Sequence, residues 1–181
     1  MPTCKPTGSS SSLLVIIRGP SGSGKSSVAK AARERYGRGM AVVDQDHLRR
    51  KVLWEKKDVP GGLAPALIVH TAAFLLDSGW PVIVEGILGS AHYGKHLRQL
   101  VAAHRGRTLI YYLDVDLPET FARHTTKPEA DQFTTSEMEA WFVPDDLLQI
   151  AGEIVIPQAS SLEDTVDQIC QDACIASGAR L

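Results

Sequence analysis

A glycine-rich turn between an apolar run and an amphipathic segment constrains this chain more than any other feature. Residues 13–26 read Leu-Leu-Val-Ile-Ile-Arg-Gly-Pro-Ser-Gly-Ser-Gly-Lys-Ser, and Gly19 to Ser26 fit G-x-x-x-x-G-K-[ST], the Walker A pattern. Strand, phosphate loop (P-loop) and helix of a mononucleotide-binding unit follow in that order. Only such a turn lets successive backbone N–H groups converge on phosphate oxygens. A Cβ at Gly22 or Gly24 would obstruct the φ angles and the close approach that this needs. Gly19, Pro20, Ser21, Gly22, Ser23 and Gly24 therefore form an anion cradle for a nucleoside triphosphate. The helix beginning near Lys25 adds the positive end of its dipole, Lys25 bridges the β and γ phosphates, and the Ser26 hydroxyl holds Mg²⁺. Ser27 closes the nucleotide-binding stretch, with its side chain on the helix facing elsewhere.

What else the chain contains bounds the partners. Its 181 residues, 44% hydrophobic, suit one domain with a substantial core, expected over 13–181. A formal charge of −2 argues against non-specific nucleic-acid binding. The apolar runs are too short to span a membrane and no long hydrophobic region opens the sequence, so cytoplasmic residence is the expectation. Cys4, Cys170 and Cys174 make an odd count, which favours reduced thiols. The last two share a helix face as small core residues.

Met1 to Ser12, rich in Pro, Gly and Ser, reads as a loose tail. Leu13 to Arg18 is the first strand, apolar as a parallel strand covered on both faces should be. A helix from Lys25 to Tyr36 ends at Gly37 or Gly39. The second strand, Met40 to Asp44, delivers Asp44 and Asp46 to the carboxyl edge of the sheet, where ligands sit in open α/β folds. There the run Asp44-Gln45-Asp46-His47-Leu48-Arg49-Arg50 sets two carboxylates beside two guanidinium groups. One carboxylate can accept the proton of a hydroxyl attacking the γ-phosphate, while arginine orients the substrate.

A helix over 63–78 shows Leu63, Leu67, His70 and Phe74 along one face, with His70 packed and hydrogen-bonded. The third strand, Pro81 to Val84, is followed by Glu85, a carboxylate placed to reach Mg²⁺ or the acceptor. His92 and His96 have the spacing of a helical metal pair but lack a third ligand, so they are expected to hold no metal. A helix spans Ser90 to His104, and Thr108 to Val115 is the fourth strand. Asp114 and Asp116 end it and start the helix at Pro118.

Beyond Thr125 the pattern dissolves into a polar stretch suited to a mobile cover over the phosphates, a lid at about 126–137. Arg123 and Lys127 at its near end supply positive charge to the transferring phosphoryl group. Thr134 and Glu137 fit a capping box for the helix carrying Met138, Trp141 and Phe142. Glu153 to Pro157 is the fifth strand, Gln158 to Ser161 a loop placed to touch the nucleotide base, and Leu162 to Ala176 the last helix. Its inward face carries Val166, Ile169, Cys170 and Ala173.

Together, Gly19 to Ser26, Val42-Val43-Asp44-Gln45-Asp46-His47-Leu48-Arg49 and Val82-Ile83-Val84-Glu85-Gly86 resemble the P-loop kinases grouped with zeta toxins and polynucleotide 5′-kinases. The resemblance covers most of 13–176. It implies a three-layer α/β/α P-loop NTPase fold with a five-stranded parallel sheet in the order 2-3-1-4-5, a lid after strand four, and Mg-ATP as donor. By the same resemblance Asp46 is the base and Glu85 helps bind the acceptor. Lids of the group place arginines on the phosphates; Arg123 matches, whereas Lys127 stands where a second arginine is expected and lacks the bidentate fork.

The function these residues point to is ATP-dependent transfer of a phosphoryl group to a small-molecule hydroxyl. Arg49, Arg50, Asp44 and Glu85 would shape the acceptor pocket, and Ser26, Asp46 and Glu85 would serve the metal. A nucleic-acid 5′-end kinase uses the same core but calls for more basic character. A nucleotide-hydrolysing switch or sensor is the other alternative. The chain has no Asn-Lys-x-Asp base-recognition motif and no apolar strand ending in paired Asp-Glu. Acceptor identity lies in Lys51 to Gly62, which spacing rules do not read, and oligomeric state is open.

Overall fold

β1 (Leu13–Arg18) is buried at all six positions, and two strands flank it in parallel, each leaving a face of β1 to be covered by helices. In this computed structural model, which describes residues 5–56, 59, 61–125 and 134–174, the order of elements alternates strand and helix almost throughout. After β1 come α1 (Lys25–Tyr36), β2 (Ala41–Asp44), a π-helical turn (His47–Val52), α2 (Ala64–Asp77) and β3 (Val82–Gly86). Then follow α3 (Ser90–Ala103), β4 (Arg107–Asp114), α4 (Leu117–Thr125), α5 (Thr135–Trp141), β5 (Glu153–Pro157) and α6 (Leu162–Asp172). The strands form one parallel sheet in the order β2-β3-β1-β4-β5, as the resemblance implies.

Alternation along β1 divides the core. Leu14 and Ile16 point to one side, where Ile68, Ala72 and Leu76 of α2 and Tyr93, Leu97 and Leu100 of α3 cover them. Val15 and Ile17 point to the other, against Val28, Ala29 and Ala32 of α1 and Val166, Ile169 and Cys170 of α6. Burial of each Leu, Ile or Val among them contributes roughly 1.5–3 kcal/mol and each Ala less, so the sheet is held mainly by its two helical covers. The reversal of strand order between β1 and its neighbours opens a crevice at the carboxyl edge. There the phosphate loop leaves β1.

Two expectations change in the fold. Residues 5–12 are not the loose tail their composition suggests. Thr7 is buried, its N–H bonds the Ala103 carbonyl, and its hydroxyl and the Gly8 N–H both reach the Asp77 carboxylate. Polar hydrogen bonds hold this segment where apolar burial could not. On α2 the inward residues are Ala64, Pro65, Ile68, Ala72 and Leu76, while Leu63, His70 and Phe74 face out. The helix is apolar on nearly every face, so periodicity cannot select one; its alanines let the backbone approach the sheet. His70 keeps a hydrogen bond, Nδ1 to the Ala66 carbonyl at 2.7 Å, but not the packing. The expected lid at 126–137 falls outside the described residues at 126–133, and its last residues are the N-cap and first turn of α5. There Thr134 and Glu137 form the capping box.

No helix among the described residues is long and apolar enough to cross a membrane.

Candidate active site

The phosphate loop is built at the β1–α1 junction. Gly22 has φ +82°, and a Cβ there would lie 2.7 Å from the Thr120 carbonyl oxygen of α4. Gly24, at φ +98°, is the N-cap of α1 and has open space around it, so conformation alone demands glycine there. Lys25 is buried and reaches back across the loop, its Nζ donating to the Pro20 carbonyl at 2.6 Å and the Ser23 hydroxyl at 3.3 Å. The ammonium is thus pinned inside the turn whose N–H groups it supports. Gly19 to Ser26 therefore come together as the motif requires.

The carboxylates gather beside it. β2 and β3 run in register with Asp44 opposite Glu85, and β1 sets Ile17 opposite Glu85, two residues from the start of the phosphate loop. Glu85 is only 4% exposed. Its pKa is raised, first by burial and then by the Asp44 carboxylate, with a smaller push from Asp46; Lys25 and a hydrogen bond from the Ser26 hydroxyl act against the rise. Ser26, Lys25, Asp44, Asp46 and Glu85 thus share one electrostatic neighbourhood at the sheet's carboxyl edge.

The chain leaves β2 through a π-helical turn, a form rare except as short insertions and frequent at functional sites. Asp46 is its N-cap and is 53% exposed at the side chain. Arg49 bonds it at 3.0 Å, and Arg50 lies 3.9 Å from its other oxygen. The Arg49 guanidinium also donates to the Glu55 carbonyl, and the Glu55 carboxylate accepts the Leu63 and Ala64 N–H groups at the start of α2. Asp46 is in this way tied to the segment leading into α2. Val52, Trp54 and Leu63 in that segment are exposed, and Trp54 takes a left-handed φ of 53°.

Arg123 stands on α4 with its Nε bonded to Glu119 at 2.7 Å. Its Nη groups bond the carbonyls of Ser23, 3.4 Å, and Gln158, 3.1 Å, bridging the phosphate loop and the loop after β5. Beneath it lies a cleft of about 310 Å³ lined by Ser23, Ser27, Leu113, Arg123, Gln158 and Ser160, among others. Ser27 thus lines a pocket, although its side chain was expected to face elsewhere. Lys127 lies outside the described residues. Among the described residues no group of three or more His, Cys, Asp or Glu has the arrangement of a metal site, the His92 and His96 pair included.

Arg18, Asp146 and Glu153 belong to none of these motifs, and Gln45 lies within one without a role assigned to it. Arg18, fully buried, bonds Asp146 at 2.9 Å and Glu153 at 3.2 Å, and the Gln45 carboxamide accepts the Leu88 N–H at 2.9 Å. Their signal in the sequence is an arginine closing an otherwise apolar strand immediately before the phosphate loop. Acids more than a hundred residues away cannot be matched to it by spacing.

Residues 14–142 match the model of the family described as AAA domain. A comparison with curated protein sequences gives no match. Among solved structures, a gluconokinase from Sinorhizobium meliloti 1021 is 19% identical with a TM-score of 0.64, covering 91% of this chain and 92% of its own. The Mycobacterium tuberculosis APS kinase in complex with AMPPNP and APS is 21% identical with a TM-score of 0.66, covering 92% and 98%. A sugar kinase from Janibacter sp. HTCC2649 is 14% identical with a TM-score of 0.64, covering 92% and 96%. At these identities the likeness is one of fold, and it runs over nearly the whole of each chain. The family match spans more than two thirds of the sequence and begins within the strand that feeds the phosphate loop, so this chain belongs to the AAA domain family.

Proposed function

We propose that the chain is an ATP-dependent phosphotransferase that moves the γ-phosphoryl group of Mg-ATP to a hydroxyl of a small molecule. The observation that carries this reading is the juxtaposition of Lys25 and Ser26 with Glu85, Asp44 and Asp46. A phosphate cradle alone serves hydrolysis or sensing equally well; one bordered by carboxylates at the adjacent strand ends also has a place for a second substrate and a base to deprotonate it. The gluconokinase, APS kinase and sugar kinase with this fold support the same reaction class.

The donor's phosphates sit on the N–H groups of Ser21 to Ser26, with Lys25 moving from the Pro20 carbonyl to the β and γ oxygens. The cleft between Arg123 and Gln158 takes the base, and Ser27 borders it. The residues fit Mg²⁺: a hydroxyl and a buried carboxylate in hydrogen-bonding contact are hard oxygen donors, and this ion characteristically uses one or two protein oxygens beside phosphates and water. Ser26 would hold it, with Glu85 behind and Asp46 within reach, and it would neutralise charge on the donor's phosphates. Asp46, the more exposed carboxylate, takes the acceptor's proton, as the resemblance to the zeta toxin and polynucleotide kinase group suggests. Arg49 orients it, while Asp44, Arg50 and Glu85 border the acceptor. Arg123 stabilises charge on the transferring group.

An acceptor screen that follows ADP release and identifies phosphorylated product by mass tests the assignment, with Asp46→Asn as control. ADP formation that no hydroxyl compound stimulates, with no product of added phosphate mass, would replace it by a hydrolase or sensor.

A further inference from the structure

β1 ends in a residue that apolar burial would not select. Leu13 to Ile17 are all aliphatic, and Arg18 then stands fully buried directly before Gly19. A guanidinium is tolerated inside only when partners surround it, and an apolar side chain of similar volume often stabilises a fold more. The partners of Arg18 come from three separate stretches. Nη2 donates to the Leu88 carbonyl at 3.0 Å and the Asp146 carboxylate at 2.9 Å, while Nη1 donates to the Asp146 carbonyl and to Glu153 at 3.2 Å. The Tyr112 ring of β4 lies 5.4 Å away.

Each partner is itself engaged. Asp146 accepts the Ser90 N–H at the start of α3, and Glu153 accepts the Gln149 N–H. The backbone around the guanidinium is strained as well: Leu88, Asp145 and Gln149 have φ of 47°, 52° and 57°, a region that non-glycine residues enter at a cost. The hydrogen bonds of the cluster hold these loops in shapes they would not take alone. Leu88 lies just beyond β3, which carries Glu85, and its N–H is held by Gln45, which stands between Asp44 and Asp46. One residue is thereby gripped from the strand feeding the phosphate loop and from the segment carrying the candidate base.

We propose that Arg18 is a positioning residue for the transfer step: by bonding Leu88 on one side and Asp146 and Glu153 on the other, it fixes the acceptor-side loop between β3 and α3 relative to the phosphate loop. The inference rests on the phosphotransferase reading for its effect on turnover. A shift of about 1 Å between reacting groups costs on the order of a hundredfold in rate. The grip on the nucleotide is separate, since backbone N–H groups of 21–26 and Lys25 supply it.

The test compares wild type with Arg18→Lys, which keeps the charge and loses the fork, and with Asp146→Asn, which is isosteric and loses the charge. AMPPNP affinity, amide hydrogen exchange and turnover of the acceptor chosen by the ADP-release screen are measured on each. The expected result is AMPPNP binding within about threefold of wild type, kcat lower by about ten- to a hundredfold, and KM for ATP little changed. Exchange at Leu88 and Ser90 should quicken at least about tenfold, while Val15 and Ile16 inside β1 keep their protection. Exchange rising equally at all four amides, or kcat unchanged while that at Leu88 and Ser90 quickens, would overturn the proposal. If wild type phosphorylates no acceptor, the phosphotransferase reading fails, and exchange still decides whether Arg18 fixes the loop. Should Arg18→Lys fail to fold, Asp146→Asn carries the same comparison.

Discussion

Asp44 and Glu85 are register partners across the parallel pair β2–β3, so two carboxylates leave neighbouring strand ends side by side. Glu85 is the buried member, and burial together with Asp44 raises its pKa. In the unfolded chain it titrates near the ordinary value of about 4.3. Between that value and the higher folded one, the native state holds the extra proton. Its contribution to stability is therefore greatest below the unfolded pKa and is lost as pH rises through the folded pKa.

Glu85→Gln removes this cost. Thermal melts across pH should show the variant's Tm gaining on wild type as pH rises above the unfolded value of about 4.3, while phosphoryl transfer falls by at least about tenfold. A Tm difference that does not change with pH would mean that Glu85 carries no such penalty.

Gly22 and Gly24 predict a graded pair. Both have positive φ, but only at Gly22 would a new Cβ meet backbone, the Thr120 carbonyl of α4. Gly24→Ala should cost about 1 kcal/mol for conformation alone, and Gly22→Ala about 1–3 kcal/mol more, because α4 must move. Urea unfolding gives the order. Equal costs would show that α4 yields freely at the contact.

His104 closes the N-terminal segment onto the sheet. Ser12 gives its hydroxyl proton to the Ser9 carbonyl, so Ser12 accepts from Nε2–H of His104 at 2.7 Å, and Nδ1 accepts from Thr108 at 2.7 Å. This is the neutral ring, in line with a pKa lowered by burial. Below the unfolded pKa of about 6.5 the unfolded chain gains a proton that the native state refuses. Stability is lost as pH falls from there through the folded pKa. His104→Gln should flatten the Tm profile below about pH 6.5, and an unchanged slope would place the titration elsewhere.

The sheet was readable because β1 and β3 are short aliphatic runs bounded by glycine or an acid, and a buried parallel strand leaves that trace in any chain. The phosphate loop was readable because its glycines are fixed by φ and close approach. Residues 5–12 misled because their order comes from hydrogen bonds to Asp77, Ala103 and His104, which composition does not encode. α2 misled because residues apolar on all sides give periodicity nothing to select. Arg18 was passed over because what makes it informative is the set of distant residues it binds.

Asp44 and Asp46 can be separated by experiment. Asp44 is partly buried at the end of β2, accepts the His47 N–H at 3.0 Å and lies beside Glu85, so its carboxylate helps shape the turn. Asp46 is half exposed, and its carboxylate is held by the guanidinium groups of Arg49 and Arg50, which can release an oxygen to an incoming hydroxyl. Asp46→Asn should therefore lower kcat by about 10²–10⁴ while nucleotide affinity and Tm stay near wild type. Asp44→Asn should lower Tm and raise acceptor KM, with a smaller effect on kcat. Single-turnover phosphorylation by both variants, read beside their melts, decides between them. A near-wild-type rate in Asp46→Asn together with a collapse in Asp44→Asn would transfer the base to the strand end and leave Asp46 as the anchor of the two arginines.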